Sequence, residues 1–420
     1  MTNKLLQLNT YNYRRGGSDA VFLDQDKLFK TLGWKTAAFT MHHPNNEPSP
    51  WSDYFADELE FGENYSLPQK IIMAGKVIYS FEAKQKLARM LDAFRPDIAH
   101  AHCIYHHLSP SVLSLLHERG VPTVMTAHDL KIACPAYKML NSHGICEKCK
   151  RGNVLHVVKN RCIHNSLITS ALVAVESGVH KALRLYKNNL DRVIAPSQFY
   201  NKKLIEWGWP EQQISYIPNY INCDDYAPNY ESEDYFLYFG RLAPEKGVGT
   251  LIRGAIETGI SLKIAGTGPI EKELKALAKD RANIEFLGYC SGENLWSLIR
   301  NAKAVVLPSQ WYENAPVSVL EAYASGTPVI GADIGGIPEM ILPAKTGFLF
   351  QSGSVPSLVD AIAQLNRKTS AQIAEMGRRC REYVSATFTR ERYINDLLSL
   401  YAELGVSNAV ATEIHDGRAN

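Results

Sequence analysis

Residues 302–333 read AKAVVLPSQWYENAPVSVLEAYASGTPVIGAD. AKAVVLPS reads as a strand, VSVLEAYASG as a helix and TPVIGAD as a second strand, so the stretch is one strand–helix–strand unit. Both strands are apolar throughout rather than alternating, the pattern of strands buried on both faces of a parallel sheet. Around the turn between strand and helix stand Glu313 and Glu321, an E-x7-E pair. Asn314 reads as a helix cap and Pro316 as a first-turn residue, where a missing N–H costs nothing. Glu321 then falls in the second turn and Glu313 just before the helix. A helix start offers free N–H groups and a positive dipole end, which suit a phosphate. Two carboxylates beside it must serve something neutral and hydroxyl-rich attached to that phosphate, and a sugar nucleotide meets both requirements. A solvated helix face is the plainer reading of any one such pair.

The same rhythm extends in both directions. YFLYFGR (235–241), SLKIAGTG (261–268) and NIEFLGY (283–289) are further strands in the second half, separated by helical stretches such as GVGTLIRGAIETG and GENLWSLIRNA. In the first half KLLQLNTY (4–11), KTAAFTMHH (35–43), DIAHAHC (97–103), VPTVMTAHD (121–129) and DRVIAPS (191–197) are strands, with SDAVFLDQDKLFKTLG and SVLSLLHERG as helices. Alternation of this kind gives an α/β chain of two doubly wound, Rossmann-like domains. The polar stretch NYINCDDYAPNYESEDY (219–235) reads as the linker, dividing residues 1–218 from 219–387. Ligands of such sheets sit at the carboxyl ends of the strands, so two facing domains enclose a site in the cleft between them.

Composition excludes several classes. At 420 residues the chain exceeds one ordinary core, and 45% apolar with 21% charged residues is a soluble globular composition. A net charge of +2 gives no bulk reason for nucleic-acid binding. No run approaches the ~20 apolar residues that span a bilayer. Eight cysteines and an N-terminus too short in apolar residues for a signal peptide imply reduced thiols and a cytoplasmic setting. Residues 406–420, mostly SNAVATEIHDGRAN, read as a frayed tail.

Candidate site residues cluster at strand ends. GRLAPEKG (240–247) carries Arg241 and Lys246, two cations that a strand-to-helix turn can aim at one diphosphate. An ordinary charged turn is the plainer alternative. Gly266 and Gly268 of GTGP, and Gly335 and Gly336 of GGIP, permit close backbone approach to a ligand, although tight turns use glycine too. Gly16-Gly17 lies between the first strand and its helix, as a phosphate loop would. It is not G-x-G-x-x-G, and no acidic residue follows at the ribose position, so a nicotinamide cofactor is poorly supported. Among His100, His102 and the His128-Asp129 pair, each more often structural than not, the last is the favoured functional pair.

Glu313-x7-Glu321, the GRLAPEKG turn, the Gly16-Gly17 loop and the second-half rhythm together resemble glycosyltransferase family 4, over essentially the whole chain and most strongly from about residue 235 to 350. The resemblance implies the two-domain GT-B architecture and a retaining, metal-independent transfer of a hexosyl group from a UDP- or GDP-sugar. It implies that Arg241 and Lys246 hold the donor diphosphate and that Glu313 binds donor-sugar hydroxyls. Glu321 would bind the ribose, and the backbone around Asn314, Ala315, Pro316 and Val317, with Gly266, would meet the donor. Gly16 and Gly17 would pass the diphosphate and His128 would touch the sugar. The acceptor is implied to be a carbohydrate or a lipid-linked one, in polysaccharide or glycolipid assembly. The last helix of this architecture crosses back to the first domain, which assigns residues 388–405 there. An epimerase of the same fold, and a catalytically silent sugar-nucleotide-binding protein, remain as alternatives.

Two features stand apart. Residues 131–165 insert Cys134, Cys146, Cys149 and Cys162 in a C-x11-C-x2-C-x12-C spacing, the expectation being a structural zinc site with His143, His156 and His164 as substitutes. Reduced thiols in an acceptor-side loop are the plainer reading. PQKIIMAGKVIYSFEAKQKLARML (68–91) and VHKALRLYKNNL (179–190) are basic and amphipathic, suiting peripheral contact with anionic lipid or an ordinary helix face.

Overall fold

The computed structural model describes residues 2–59 and 67–407 of the chain. Most of the expected tail, residues 408–420, lies outside the described residues, as do the side chains of residues 67–71 in the first basic stretch.

Two six-stranded parallel sheets organise the chain. The first contains β1 (Lys4–Leu8), β2 (Lys35–Phe39), β3 (Ile98–Ala101), β4 (Thr123–Thr126), β5 (Arg192–Ala195) and β6 (Ile214–Tyr216), in the order 2-1-3-4-5-6. The second contains β7 (Phe236–Phe239), β8 (Leu262–Ala265), β9 (Ile284–Gly288), β10 (Ala304–Leu307), β11 (Val329–Ala332) and β12 (Gly347–Phe350), in the order 9-8-7-10-11-12. Helices cover both faces, as the continuous apolar strands require: β3, β4, β10 and β11 are buried at every residue. The strand order reverses between β7 and β10 in the second sheet and between β1 and β3 in the first. Loops leaving the strands at such reversals diverge and open a crevice. The loop after β7 is GRLAPEKG, that after β10 carries Glu313, and that after β1 carries Gly16-Gly17, so the topology places all three at switch points.

Each sheet gains an edge strand that sequence reading did not anticipate. Ile214–Tyr216 has three residues, all half-buried, and offers no continuous apolar run. Gly347–Phe350 is one residue longer and begins on glycine. Helices Val355–Asn366 and Ser370–Thr387 complete the second half, the latter opened by a reciprocal cap between Thr369 and Gln372.

The chain leaves the first core near Ile217 and enters the second at Ile221. It later returns. Helix Arg390–Glu403 lays Tyr393, Ile394, Leu397, Leu398, Leu400 and Tyr401 against Leu5, Phe29, Ile98, Val124 and Ile194 of the first domain. Polar contacts fix its register: Tyr401 Oη lies 2.7 Å from His100 Nδ1, and Tyr393 donates to Gln25 Oε1 at 3.0 Å. Leu397 is fully buried in this interface. Leu397→Ala is expected to cost about 2–5 kcal/mol, read as a lower unfolding midpoint. Wild-type stability would show that this contact does not hold the chain end in place.

Candidate active site

Lys246 and Glu313 meet in the crevice of the second sheet. Pro244–Lys246 forms one 3-10 turn after β7, and Lys246 Nζ donates to Glu313 Oε1 at 2.7 Å. Ser309 Oγ donates to the same oxygen at 2.6 Å. Burial pushes the Glu313 carboxyl up, but the lysine charge and these hydrogen bonds outweigh it and hold the group below its ordinary range. Glu313 is therefore a buried carboxylate with a fixed counterion. Arg241 is exposed and makes no ion pair among the described residues, so its guanidinium is available to a ligand.

Helix Val317–Ala324 begins two residues later than a cap at Asn314 would start it. Pro316 is its cap residue rather than its first-turn residue, and Asn314 does not cap it. The Asn314 side chain is spent across the cleft instead: Nδ2 donates to the Ala127 carbonyl at 2.9 Å and Oδ1 accepts from Ser197 Oγ at 3.0 Å. Because Ala127 precedes His128, this bond ties the chain at His128 to the loop that carries Glu313 and Asn314. Ala315 is buried, and its carbonyl accepts from Asn219 of the linker. As first residues of the helix, Val317 and Ser318 keep N–H groups without an intrahelical acceptor.

Glu321 lies one helical turn further on. Tyr226 Oη donates to its Oε1 at 3.5 Å, and Arg14, from the segment before Gly16, exerts its charge on it from across the cleft. Burial outweighs both and lifts the carboxyl to about 7. Gly16 and Gly17 open the first helix, and a side chain at either would meet nothing within 4 Å, so that loop faces open space. The glycines of GTGP and GGIP have a different use. A Cβ at Gly266 would strike the Gly240 carbonyl and one at Gly336 the Asn314 carbonyl, so at these points the loops pack backbone on backbone.

His128 Nε2 lies 2.9 Å from His102 Nδ1, and the rings of His128, His102 and His100 stack in series. Burial lowers His128 to about 4, so it is a neutral hydrogen-bonding group at neutral pH. His100 and His102 are fully buried and structural. Asp129 is not the partner of His128: it accepts the Lys131 N–H at 2.8 Å and turns the chain into the insertion.

The expected zinc site does not form. All eight cysteines are free, and among the described residues no three His, Cys, Asp or Glu side chains gather as a ligand set. Cys134 and Cys149 belong to the first core, where burial pushes Cys149 up to about 12 and, nearby, Cys162 up to about 11. His143 and His164 are exposed. Residues that sequence reading missed are Ser309, Tyr226 and Ser197, none of which carries a local motif.

Two family models match the chain, one described as Glycosyltransferase Family 4 over residues 32–225 and one as Glycosyl transferases group 1 over residues 225–385. D-inositol 3-phosphate glycosyltransferase of Mycobacterium avium is 33% identical over 178 residues, 40% of this chain and 42% of the relative. Sulfoquinovosyl transferase SQD2 of Arabidopsis thaliana is 26% identical over 323 residues, 72% of this chain and 56% of the relative. The chain thus spans about half the length of these curated relatives. Among solved structures, sucrose-phosphate synthase from Thermosynechococcus elongatus superposes with a TM-score of 0.71 at 20% identity, covering 96% of this chain and 99% of that one. Anabaena HepE, in complex with UDP and glucose, gives 0.65 at 16%, covering 96% and 100%. The shared fold is the two-domain GT-B architecture.

The lifted Glu321 carboxyl has a measurable consequence. Its folded value near 7 exceeds its ordinary 4.5, so its contribution to stability is present below pH 4.5 and is lost as pH rises through 7. Glu321→Gln, which stays neutral, is expected to exceed the wild type by up to about 3 kcal/mol at pH 8 and to match it at pH 4. Denaturant unfolding at both values checks this. A pH-independent difference would contradict the burial.

Proposed function

The chain belongs to the family 4, group 1 glycosyltransferases, and on that premise we propose that it is a retaining enzyme moving a hexosyl group from a nucleotide-diphospho-sugar to a carbohydrate or lipid-linked acceptor. The observation that carries the reading is the Lys246–Glu313 pair at the switch point, with the Asn314–Ala127 bond tying its loop to the strand end that bears His128. Lys246 and Arg241 take the diphosphate. Glu313 accepts hydrogen bonds from the sugar hydroxyls, and Glu321, in its ionised form, from the ribose. The free N–H groups at Val317 and Ser318 face the phosphate, while Gly16-Gly17 leaves room for the diphosphate to pass. UDP complexes of HepE, and of TarM from S. aureus, support a sugar nucleotide as donor. The acceptor half comprises residues 1–218 with helix 388–405, and the donor half residues 219–387.

As the glycosidic bond breaks, positive charge grows at the anomeric carbon and negative charge on the departing diphosphate. Fixed cations in a closed cleft stabilise the latter with no reorganisation. Glu313 is already committed to Lys246 and Ser309, which suits a hydroxyl acceptor rather than a nucleophile. The leaving phosphate oxygen, on the same face as the incoming hydroxyl, takes the acceptor proton.

Lys246→Ala is expected to lower turnover with UDP- or GDP-sugars by about 10²–10³ and to weaken diphosphate binding with it. Near-full turnover in that variant would remove the diphosphate role.

A lipid-linked acceptor is favoured by the surface of helix Leu167–Ala182. Ile168, Val175 and Leu183 are 83%, 56% and 61% exposed, spaced along one stripe, with Lys181 and Arg184 at its end. No helix of the described residues is long and apolar enough to cross a membrane, so the contact would be peripheral. Co-flotation with phosphatidylglycerol vesicles, reduced in Ile168→Ser with Leu183→Ser, is the expected result. Protein left wholly at the bottom of the gradient would remove the membrane contact.

A further inference from the structure

The cysteine-bearing insertion reaches across the cleft at two points. Lys138 Nζ lies 2.9 Å from Glu245 Oε1, and Glu147 Oε1 accepts from Tyr312 Oη at 2.9 Å. Glu245 immediately precedes Lys246 in the chain, and Tyr312 immediately precedes Glu313. The insertion thus grips the second domain one residue before each member of the Lys246–Glu313 ion pair.

Tyr312 is the better-built of the two contacts. Its side chain leaves the second domain and packs against the first domain's core. Its ring lies 4.8 Å from that of Phe199 and 5.3 Å from Lys203 Nζ, and its carbonyl accepts from Tyr200 Oη at 3.2 Å. Lys203 Nζ also donates to Glu147 Oε1 at 2.9 Å, so the carboxylate that receives the tyrosine is itself held by a cation. Burial raises the Glu147 carboxyl, but Lys203 and Tyr312 outweigh it and keep the group ionised. The insertion is in turn rooted by Lys131, which is buried and pairs with the buried Glu176 at 2.9 Å. A loop carrying only structural cysteines would need none of these contacts with the other domain.

We propose that Tyr312, Glu147 and Lys138 are positioning residues that latch the two domains together and so set where Glu313 and Lys246 stand relative to His128. The insertion is the arm that carries the latch. This rests on the donor-site reading for its kinetic consequence, but not for its geometric one. When the latch is broken, the fraction of molecules with the site assembled falls and apparent donor affinity falls in proportion, while assembled molecules react as before.

The test uses the full chain and four proteins: Tyr312→Phe, Glu147→Ala, Lys138→Glu, and the swap Lys138→Glu with Glu245→Lys. Calorimetry measures UDP and GDP binding, small-angle scattering measures the separation of the domains, and a transfer assay measures donor KM and kcat. The three single variants are expected to bind the preferred nucleotide about tenfold more weakly and to scatter as more open particles. Donor KM rises by the same factor, with kcat at saturating donor within about twofold of wild type. The charge swap is expected to recover most of the loss. General structural damage would lower kcat and would not be repaired by the swap, so that outcome overturns the latch. Wild-type affinity and wild-type scattering in the single variants overturn it as well. If the unaltered protein binds neither UDP nor GDP, the donor-site reading fails, and scattering alone then decides the latch.

Discussion

Lys246 and Glu313 come from different loops and meet at 2.7 Å in a buried crevice, and the remainder of the cleft is arranged around that contact. A buried carboxylate is tolerated only where a counterion and further hydrogen bonds satisfy it, and the half-buried Lys246 together with Ser309 supplies them. The pair constrains its surroundings in turn. Lys246 must leave β7, and Glu313 must leave β10, at the one place in the sheet where neighbouring loops diverge. The glycines around them let neighbouring loops close in: the Gly336 backbone lies directly on that of Asn314. A carboxylate so held cannot move far, and a lysine so neutralised has a ready partner to exchange for a phosphate.

The two domains meet through Asn314 of the site and through side chains beside it. Asn314 reaches Ala127 and Ser197, Tyr312 reaches Glu147, and Glu339 accepts the Gln198 N–H at 2.8 Å. This spacing leaves Arg241, the start of helix Val317–Ala324 and the Gly16-Gly17 loop unobstructed. The cleft is held together at its margins and open where a donor would lie. Return of helix Arg390–Glu403 to the first domain gives the chain a second crossing between the halves.

The parts of this arrangement that depend on neighbours in sequence could be read from it. Ten of the twelve strands of the two sheets, the helices between them and the cleft-facing position of Lys246, Glu313 and Glu321 follow from apolar runs and punctuating turns. What escaped reading depends on distance. Asn314 looks like a cap because Asn caps helices, yet its partner Ala127 lies 187 residues away. His128 looks paired with Asp129 because they adjoin, whereas its partner is His102, on the neighbouring strand's end. The four insertion cysteines have a metal-like spacing, but Cys134 and Cys149 fold as core residues. β6 and β12 were missed because an edge strand needs only a few residues of pairing and little apolar surface.

Calorimetric titration of the intact protein with UDP, GDP and ADP, before and after EDTA treatment, decides whether the Lys246–Glu313 crevice is a donor site. One nucleotide is expected to bind in clear preference to the others, with an affinity that EDTA leaves unchanged, if the cations that receive the diphosphate are Lys246 and Arg241. Absence of binding by all three would contradict the donor-site reading and leave the lysine–glutamate pair as a structural feature without a donor.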